Sequence, residues 1–131
     1  GMEQAAQMIH LNDEVRKLVA THWPGALTLV AERISGVDPV TGGNTIGVRC
    51  PEPGWRRPLI DDVGPVTGSS ANLHGVETLV GAEDAAATLA IEAAYVIPGV
   101  SEGGLASTVV DTTGESLVVL REGAVDVNQL L

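Results

Sequence analysis

Hydroxyl, amide and guanidinium side chains recur at four places in this 131-residue chain, and together they suit an anion. They are Arg49 at the end of an alternating stretch, the Ser69–Asn72 bend, the Ser107–Thr108 pair and Arg121. Small residues in a bend let backbone N–H groups approach a phosphate, and arginine offers a planar fork for phosphate or carboxylate. The combination predicts a site for a small anionic ligand, although each part alone is also typical of an ordinary turn, strand start or solvated side chain.

The other residues capable of chemistry form no pattern. The three histidines lie far apart and lack the spacing of metal ligands, so we expect no metal site. Cys50 is the only cysteine, which excludes an internal disulfide, and its place on the apolar side of an alternating stretch predicts a buried thiol. Asp61 and Asp62 form an acidic pair of the kind that is usually solvated. We expect Trp23 and Trp55 to supply bulk to the core, because the chain has no phenylalanine.

Composition places the chain among compact intracellular proteins. A hydrophobic content of 44% predicts one domain with a buried core, which we assign to residues 2–131 because Gly1 before Met2 resembles an expression remnant. A net charge of -10 disfavours binding to nucleic acid. There is no apolar run near the roughly 20 residues that a bilayer requires and no signal-peptide pattern, so we expect a cytoplasmic protein without membrane contact.

Helical and extended patterns alternate along the chain. Helical spacing of apolar residues predicts helices over 12–22, 55–63 and 82–94. Short apolar or alternating runs predict strands at 26–31, 45–50, 66–67, 95–97, 107–111 and 117–121, with glycine-bearing loops over 32–44 and 101–106. Strands separated by helices and ended by a hairpin predict an α/β fold with a mixed, twisted open sheet. Functional groups would then lie at strand ends and in loops.

Alternation also assigns side chains to faces. In the strand at 45–50, Thr45 and Arg49 share the face opposite Cys50, and we expect them to lie side by side. In the last strand, alternation places Val119 and Arg121 on the same side.

Five segments resemble the YrdC family in their order and approximate spacing: residues 23–30 (WPGALTLV), 45–51 (TIGVRCP), 69–75 (SSANLHG), 107–111 (STVVD) and 120–123 (LREG). The resemblance implies a twisted open sheet around a deep cleft. It also implies L-threonylcarbamoyladenylate synthase chemistry, in which L-threonine, bicarbonate and ATP give an adenylate for the modification of adenosine in tRNA. Double-stranded RNA binding has been ascribed to the family as well.

The resemblance also implies site residues and ligands. The threonine side would be formed by Arg49, Ser70 and Ser107, and the nucleotide side by Thr45, Asn72 and Arg121. ATP would bind as a substrate together with Mg²⁺, with no tightly bound cofactor.

The chain departs from the family pattern at its beginning. The family has a Pro-Thr-Glu-Thr-x-Tyr-Gly-Leu strand followed by a Lys-x-Arg segment, whereas the only lysine here is Lys17. Val80 and His74 also stand where hydroxyl residues are usual. Because positioning of phosphates contributes strongly to such reactions, we expect weak or no synthase activity from this truncated domain alone. An uncovered sheet edge would favour a homodimer or a complementing protein chain.

Two other functions stay open at this point. The chain could be a non-catalytic binding or regulatory module that acts through protein contacts, with a vestigial cleft. Duplex RNA binding ranks lowest, because it would have to overcome a net charge of -10 through five arginines: Arg33, Arg49, Arg56, Arg57 and Arg121.

Overall fold

The computed structural model describes residues 1–38, 42–89, 92–101 and 104–130, and the chain divides into two compact units. The first unit comprises residues 1–66 and 105–131, and the second comprises residues 67–104. The helices and strands are α1 (Met2–Ala5), α2 (Asp13–His22), β1 (Leu27–Glu32), β2 (Thr45–Val48), α3 (Arg56–Val63), α4 (Ala82–Leu89), β3 (Thr108–Asp111), β4 (Val118–Arg121) and a 3-10 helix (Val127–Gln129). Helix α4 belongs to the second unit, and the other elements belong to the first.

A four-stranded mixed sheet organises the first unit, in the order β2-β1-β3-β4. Strand β1 pairs antiparallel with β2 and parallel with β3, and β3 pairs antiparallel with β4. Backbone hydrogen bonds from Thr108 to Ala26 and from Thr112 to Val30 extend the parallel ladder at both ends. This arrangement confirms the predicted α/β fold with a mixed sheet.

Helix α2 covers one face of the sheet. The Asn12 side chain caps it by accepting a hydrogen bond from the Val15 N–H at 2.8 Å, as the sequence predicts. The apolar stripe of α2 joins the buried side chains of the sheet in one core, whose members include Val15, Leu18, Val19, Leu27, Leu29, Ala31, Val48 and Val110. The helix predicted over 12–22 and the strand predicted over 26–31 are therefore confirmed as α2 and β1, with ends that differ by one residue.

The side chains that alternate with this core point to the other side of the sheet, which we call the polar face. Its members are Thr28, Val30, Thr45, Gly47, Arg49, Ser107, Val109, Asp111 and Arg121. Most of them are half-buried or exposed, whereas Ser107 is 7% exposed. This face carries most of the site residues expected from the sequence.

Several predicted elements differ in the structure. The strands expected at 66–67 and 95–97 are irregular chain, because neither short run finds a neighbouring strand to pair with, and Tyr95 is 79% exposed. Trp55 is 54% exposed and lies against the Arg56 guanidinium, so its expected place in the core is wrong. Residues 39–41, 90–91 and 102–103, which fall in predicted loops and at the end of a predicted helix, lie outside the described residues.

Among the described residues, no helix combines the length and the apolar composition that crossing a bilayer demands.

Candidate functional site

Ser107 and Arg121 meet on the polar face, where β3 begins and β4 ends. The Nε and Nη2 atoms of Arg121 donate hydrogen bonds to the Ser107 carbonyl oxygen at 3.1 and 2.9 Å. Nη2 also donates to Ser107 Oγ at 3.1 Å. A guanidinium has five N–H donors, so the two on Nη1, which have no partner among the described residues, are available to a carboxylate or phosphate.

A β-bulge brings Arg121 to this face. Arg121 lies opposite Val109 and Val119 lies opposite Val110, so Leu120 is an extra residue in β4. Val119 packs against the core with Val110, while Arg121 turns to the other side with Val109. The expectation that Arg121 shares the side of Val119 is therefore wrong, because strict alternation does not continue through a bulge.

The chain after β4 is pinned to the start of β3 by the buried Thr108 hydroxyl. Thr108 Oγ1 accepts hydrogen bonds from the N–H groups of Gly123 and Val125 at 3.0 and 3.1 Å, and it donates to the Val125 carbonyl at 2.7 Å. These bonds hold the segment that follows Arg121 against the segment that carries Ser107. The contact between the two site residues is thus supported from the backbone.

Thr28 is a member of this cluster that the sequence analysis missed. Its Oγ1 lies 2.8 Å from Ser107 Oγ, on the neighbouring strand β1. The stretch around Thr28 looks like a continuous apolar strand, and the single hydroxyl in its middle is the only local signal. The alternation of buried and half-buried residues in β1 places that hydroxyl on the polar face.

Arg49 is tied to the loop before β1. Its Nε donates to the Gly25 carbonyl at 2.8 Å, and the Gly25 N–H donates to the Cys50 carbonyl at 2.9 Å. Thr45 lies on the same face but opposite Glu32, at the other end of β2, about 13 Å away along an extended chain. The expectation that Thr45 and Arg49 lie side by side is therefore wrong.

Ser70 and Asn72 belong to the second unit, in a turn organised by the Asn72 amide. Its Nδ2 donates to the carbonyls of Leu73 and Val76, both at 2.9 Å, and its Oδ1 accepts from the Thr78 hydroxyl at 3.2 Å. Both amide protons are thus engaged within the turn, and among the residues that the structure describes Oδ1 accepts only the Thr78 hydroxyl. Ser70 is exposed.

Ala71, between Ser70 and Asn72, has a φ of 52°, a left-handed conformation that is uncommon outside glycine. The preceding Ser69 Oγ accepts a hydrogen bond from the Ala71 N–H at 3.2 Å and helps to hold that conformation. The bend therefore stores local strain, as functional turns often do.

Two further groups near the sheet have defined surroundings. Cys50 is buried, as predicted, and Arg57 Nη1 lies 3.3 Å from its sulfur. On the polar face, the hydroxyl and the backbone N–H of Thr113 donate to the Asp111 carboxylate and hold its pKa below its ordinary value. No cluster of three or more potential metal ligands occurs within the described ranges.

A cavity of about 430 Å³ lies on the other side of the sheet, beside α2. Lys17, Leu117 and Leu130 are among its lining residues. It carries none of the site residues expected from the sequence.

The sequence matches a family model described as "Telomere recombination", which covers the Sua5, YciO and YrdC proteins, over residues 1–123. The chain belongs to the Sua5/YciO/YrdC family. This assignment confirms the resemblance that the five ordered segments carry.

Curated relatives in this family have names that point to one activity. A Mycobacterium tuberculosis protein named a candidate threonylcarbamoyl-AMP synthase is 36% identical over 121 residues, which cover 90% of this chain and 56% of the relative. A Methanocaldococcus jannaschii protein of the same name is 25% identical over 124 residues, which cover 92% of this chain and 58% of the relative. The chain therefore spans a little over half the length of these relatives.

Solved structures of family members share the fold. Pyrococcus abyssi Sua5 complexed with L-threonine superposes with a TM-score of 0.86 at 29% identity, covering 99% of this chain and 40% of that one. Escherichia coli YciO superposes with a TM-score of 0.85 at 25% identity, covering 100% of this chain and 66% of that one. The mixed sheet and its helices are thus those of Sua5/YciO/YrdC proteins.

Proposed function

We propose that this chain forms part of a threonylcarbamoyl-AMP synthase and holds L-threonine next to the nucleotide. The observation that carries the proposal is the contact between Ser107, assigned to the threonine side, and Arg121, assigned to the nucleotide side. The reaction needs such a junction, because the carbamate that forms from the L-threonine amine and bicarbonate with loss of water must reach the α-phosphorus of ATP. The names of the curated relatives support the same activity.

Each side of the proposed site also includes other residues of the polar face. Within the first unit, Arg49 joins Ser107 in contacting L-threonine, and Thr45 joins Arg121 in contacting ATP. When the carbamate oxygen attacks the α-phosphorus and pyrophosphate leaves, negative charge develops on the phosphoryl oxygens. A fixed guanidinium stabilises that charge without reorganising, which is how preorganised cations accelerate phosphoryl and nucleotidyl transfer.

Magnesium would arrive with the nucleotide. The triphosphate itself would supply oxygen ligands of the kind that Mg²⁺ prefers. The described residues hold no cluster of three or more metal-ligating side chains. When bound, Mg²⁺ neutralises phosphate charge. The chain's own contribution is the arginine and hydroxyl donors of the polar face. A tRNA-modifying role of this kind would place the protein in the cytoplasm.

The chain alone would be a weak synthase. It spans a little over half of its curated relatives, and its one lysine, Lys17, lies on α2, which covers the face opposite Arg121. A triphosphate therefore meets fewer cations on the polar face than phosphate positioning calls for. We expect L-threonine binding to survive better than turnover.

A second copy of the chain would cover the exposed side of α3. Trp55, Leu59 and Val63 on this side are 54%, 42% and 59% exposed. In an antiparallel pair of α3 helices, the basic start of one helix, with Arg56 and Arg57, would lie next to the acidic end of the other, with Asp61 and Asp62, which favours this arrangement. Sedimentation should show a dimer at micromolar concentration that Leu59→Glu dissociates, whereas Leu105→Glu, at another exposed leucine, should not. A stable wild-type monomer would refute this part of the proposal.

Calorimetric titration tests the ligand assignment. L-Threonine should bind the wild-type chain, and L-valine, which has the same shape without the hydroxyl, should bind more weakly. Arg49→Gln should weaken L-threonine binding by about tenfold to hundredfold, since a charged hydrogen bond is worth about 1.5–3 kcal/mol. Arg16→Gln, which removes the same charge from the exposed side of helix α2, should leave L-threonine binding unchanged.

If millimolar L-threonine and Mg-ATP produce neither a heat of binding nor a shift in melting temperature, the proposed function is refuted. That result would favour the binding-module alternative. A filter-binding assay with duplex RNA at two salt concentrations tests the RNA binding that has been ascribed to the family. At a net charge of -10 we expect the chain to retain no RNA on the filter.

A further inference from the structure

The Thr28 hydroxyl, on strand β1, forms a hydrogen bond with the Ser107 hydroxyl, which lies just before β3. The two oxygens are 2.8 Å apart although the residues are 79 positions apart in sequence. Thr28 is not one of the six positions that the family resemblance assigns to a ligand. We infer that Thr28 is a positioning residue, whose hydroxyl fixes the Ser107 side chain and, through it, the Arg121 guanidinium. As far as the ligand is concerned, this inference rests on the proposed function.

The hydrogen-bond directions leave one hydroxyl proton free. Arg121 can only donate, so Ser107 Oγ is the acceptor in that contact. Ser107 then either donates its proton to Thr28 or accepts the proton of Thr28 at its second acceptor position. In both arrangements the Thr28–Ser107 pair keeps one O–H for an outside acceptor. With the two N–H groups of Arg121 Nη1, the cluster presents three donors to a carboxylate or phosphate.

Thr28 is the rigid member of the pair. A β-branched side chain has few χ1 rotamers, whereas serine has three available staggered positions. Thr28 also sits in the middle of the sheet, opposite Val109, and its Cγ2 lies 3.6 Å from where a Cβ on Gly47 would be. The threonine methyl group thus lies over Gly47 on β2, while the hydroxyl turns to Ser107. A fixed donor or acceptor on β1 therefore selects one Ser107 rotamer.

Two substitutions separate the hydroxyl from the methyl group. Thr28→Val keeps the shape and removes the hydroxyl, whereas Thr28→Ser keeps the hydroxyl and removes the methyl group. If the hydroxyl positions the site, Thr28→Val should accelerate hydrogen exchange of the Arg121 Nη2 protons, which include the donor to Ser107 Oγ, followed by NMR. It should also raise the Kd for L-threonine by about fivefold to tenfold. Thr28→Ser should keep both values within about twofold of wild type while lowering the melting temperature through lost packing.

The two readouts separate this inference from the proposed function. Accelerated Arg121 exchange in Thr28→Val, in a chain that does not bind L-threonine at all, would support the positioning role and refute the ligand. Unchanged exchange in Thr28→Val would overturn the positioning role, and so would equal defects in both variants, because packing alone would then explain them. Should Thr28→Val fail to fold, Thr28→Ala takes its place against Thr28→Ser, with the same expected results.

Discussion

Gly123 lies so close to Thr108 that a Cβ on the glycine would be 2.6 Å from the Thr108 backbone nitrogen. The Gly123 N–H also donates to Thr108 Oγ1 at 3.0 Å. Since Thr108 follows Ser107 and Gly123 comes two residues after Arg121, this approach sets the distance between the two strand ends that form the site. Close backbone packing thus underlies the Ser107–Arg121 contact.

Gly123→Ala should destabilise the fold by about 2–3 kcal/mol, because the atoms in its way are backbone and cannot rotate aside. Urea unfolding measures this loss. Gly114→Ala is the matched control, because its new methyl group would meet only Ser116 O, at 3.7 Å, and the change should stay within about 0.5 kcal/mol. If both variants are equally stable, the backbone around Gly123 can shift to accommodate a methyl group, and the prediction is wrong.

Thr108→Val should cost about 2–4 kcal/mol despite its equal volume, because it leaves the N–H groups of Gly123 and Val125 and the Val125 carbonyl without their partner. The same unfolding measurement applies. Thr21→Val, which removes an exposed hydroxyl bonded to the Lys17 carbonyl, should change stability by less than about 0.5 kcal/mol. A loss for Thr108→Val as small as that of the control would mean that water replaces the missing partner.

Deletion of Leu120 should leave the Arg121–Ser107 contact in place. Without the extra residue, Arg121 would follow Val119 directly, and regular alternation would still place it opposite Val109 on the polar face. The Arg121 Nε–H should therefore stay protected from hydrogen exchange in the deletion variant, as it should in Leu120→Ala, which trims a side chain that is 56% exposed. Loss of this protection in the deletion variant alone would contradict the assignment of Leu120 as the extra residue of a bulge.

The Asp111 carboxylate should contribute a pH-dependent part of the stability. Its folded pKa lies below its unfolded value, so the contribution is present above the unfolded pKa and is lost as the pH falls through the folded pKa. Thr113→Val removes the hydroxyl donor and should raise the Asp111 pKa, observed by NMR titration of the carboxyl carbon. Thr21→Val again serves as control and should not move it. An unchanged pKa in Thr113→Val would contradict the assigned cause.

Local signals predict much of this fold, and contacts between distant residues account for what they miss. The Asn12 cap and the spacing of Val15 and Leu18 lie within one helix, so a short window reveals α2. The bulge at Leu120 depends on how β4 meets β3, and alternation along β4 alone gives the wrong face for Arg121.

In the candidate site, too, the residue types can be predicted locally, whereas the contacts between them cannot. Ser107 and Arg121 can be recognised as residue types suited to an anion, but their contact is a tertiary one. The Thr28–Ser107 hydrogen bond joins two strands 79 residues apart, and no short motif contains both.

Chemical-shift mapping with L-threonine tests the central proposal most directly. Titration of the labelled chain should produce saturable shifts at the amides of Gly47, Ser107 and Arg121, on the polar face. The amide signals of residues that line the cavity on the opposite side of the sheet, such as Lys17 and Leu117, should not shift. Saturable shifts confined to that cavity, or no shifts at millimolar L-threonine, would contradict a threonine site built on Ser107 and Arg121.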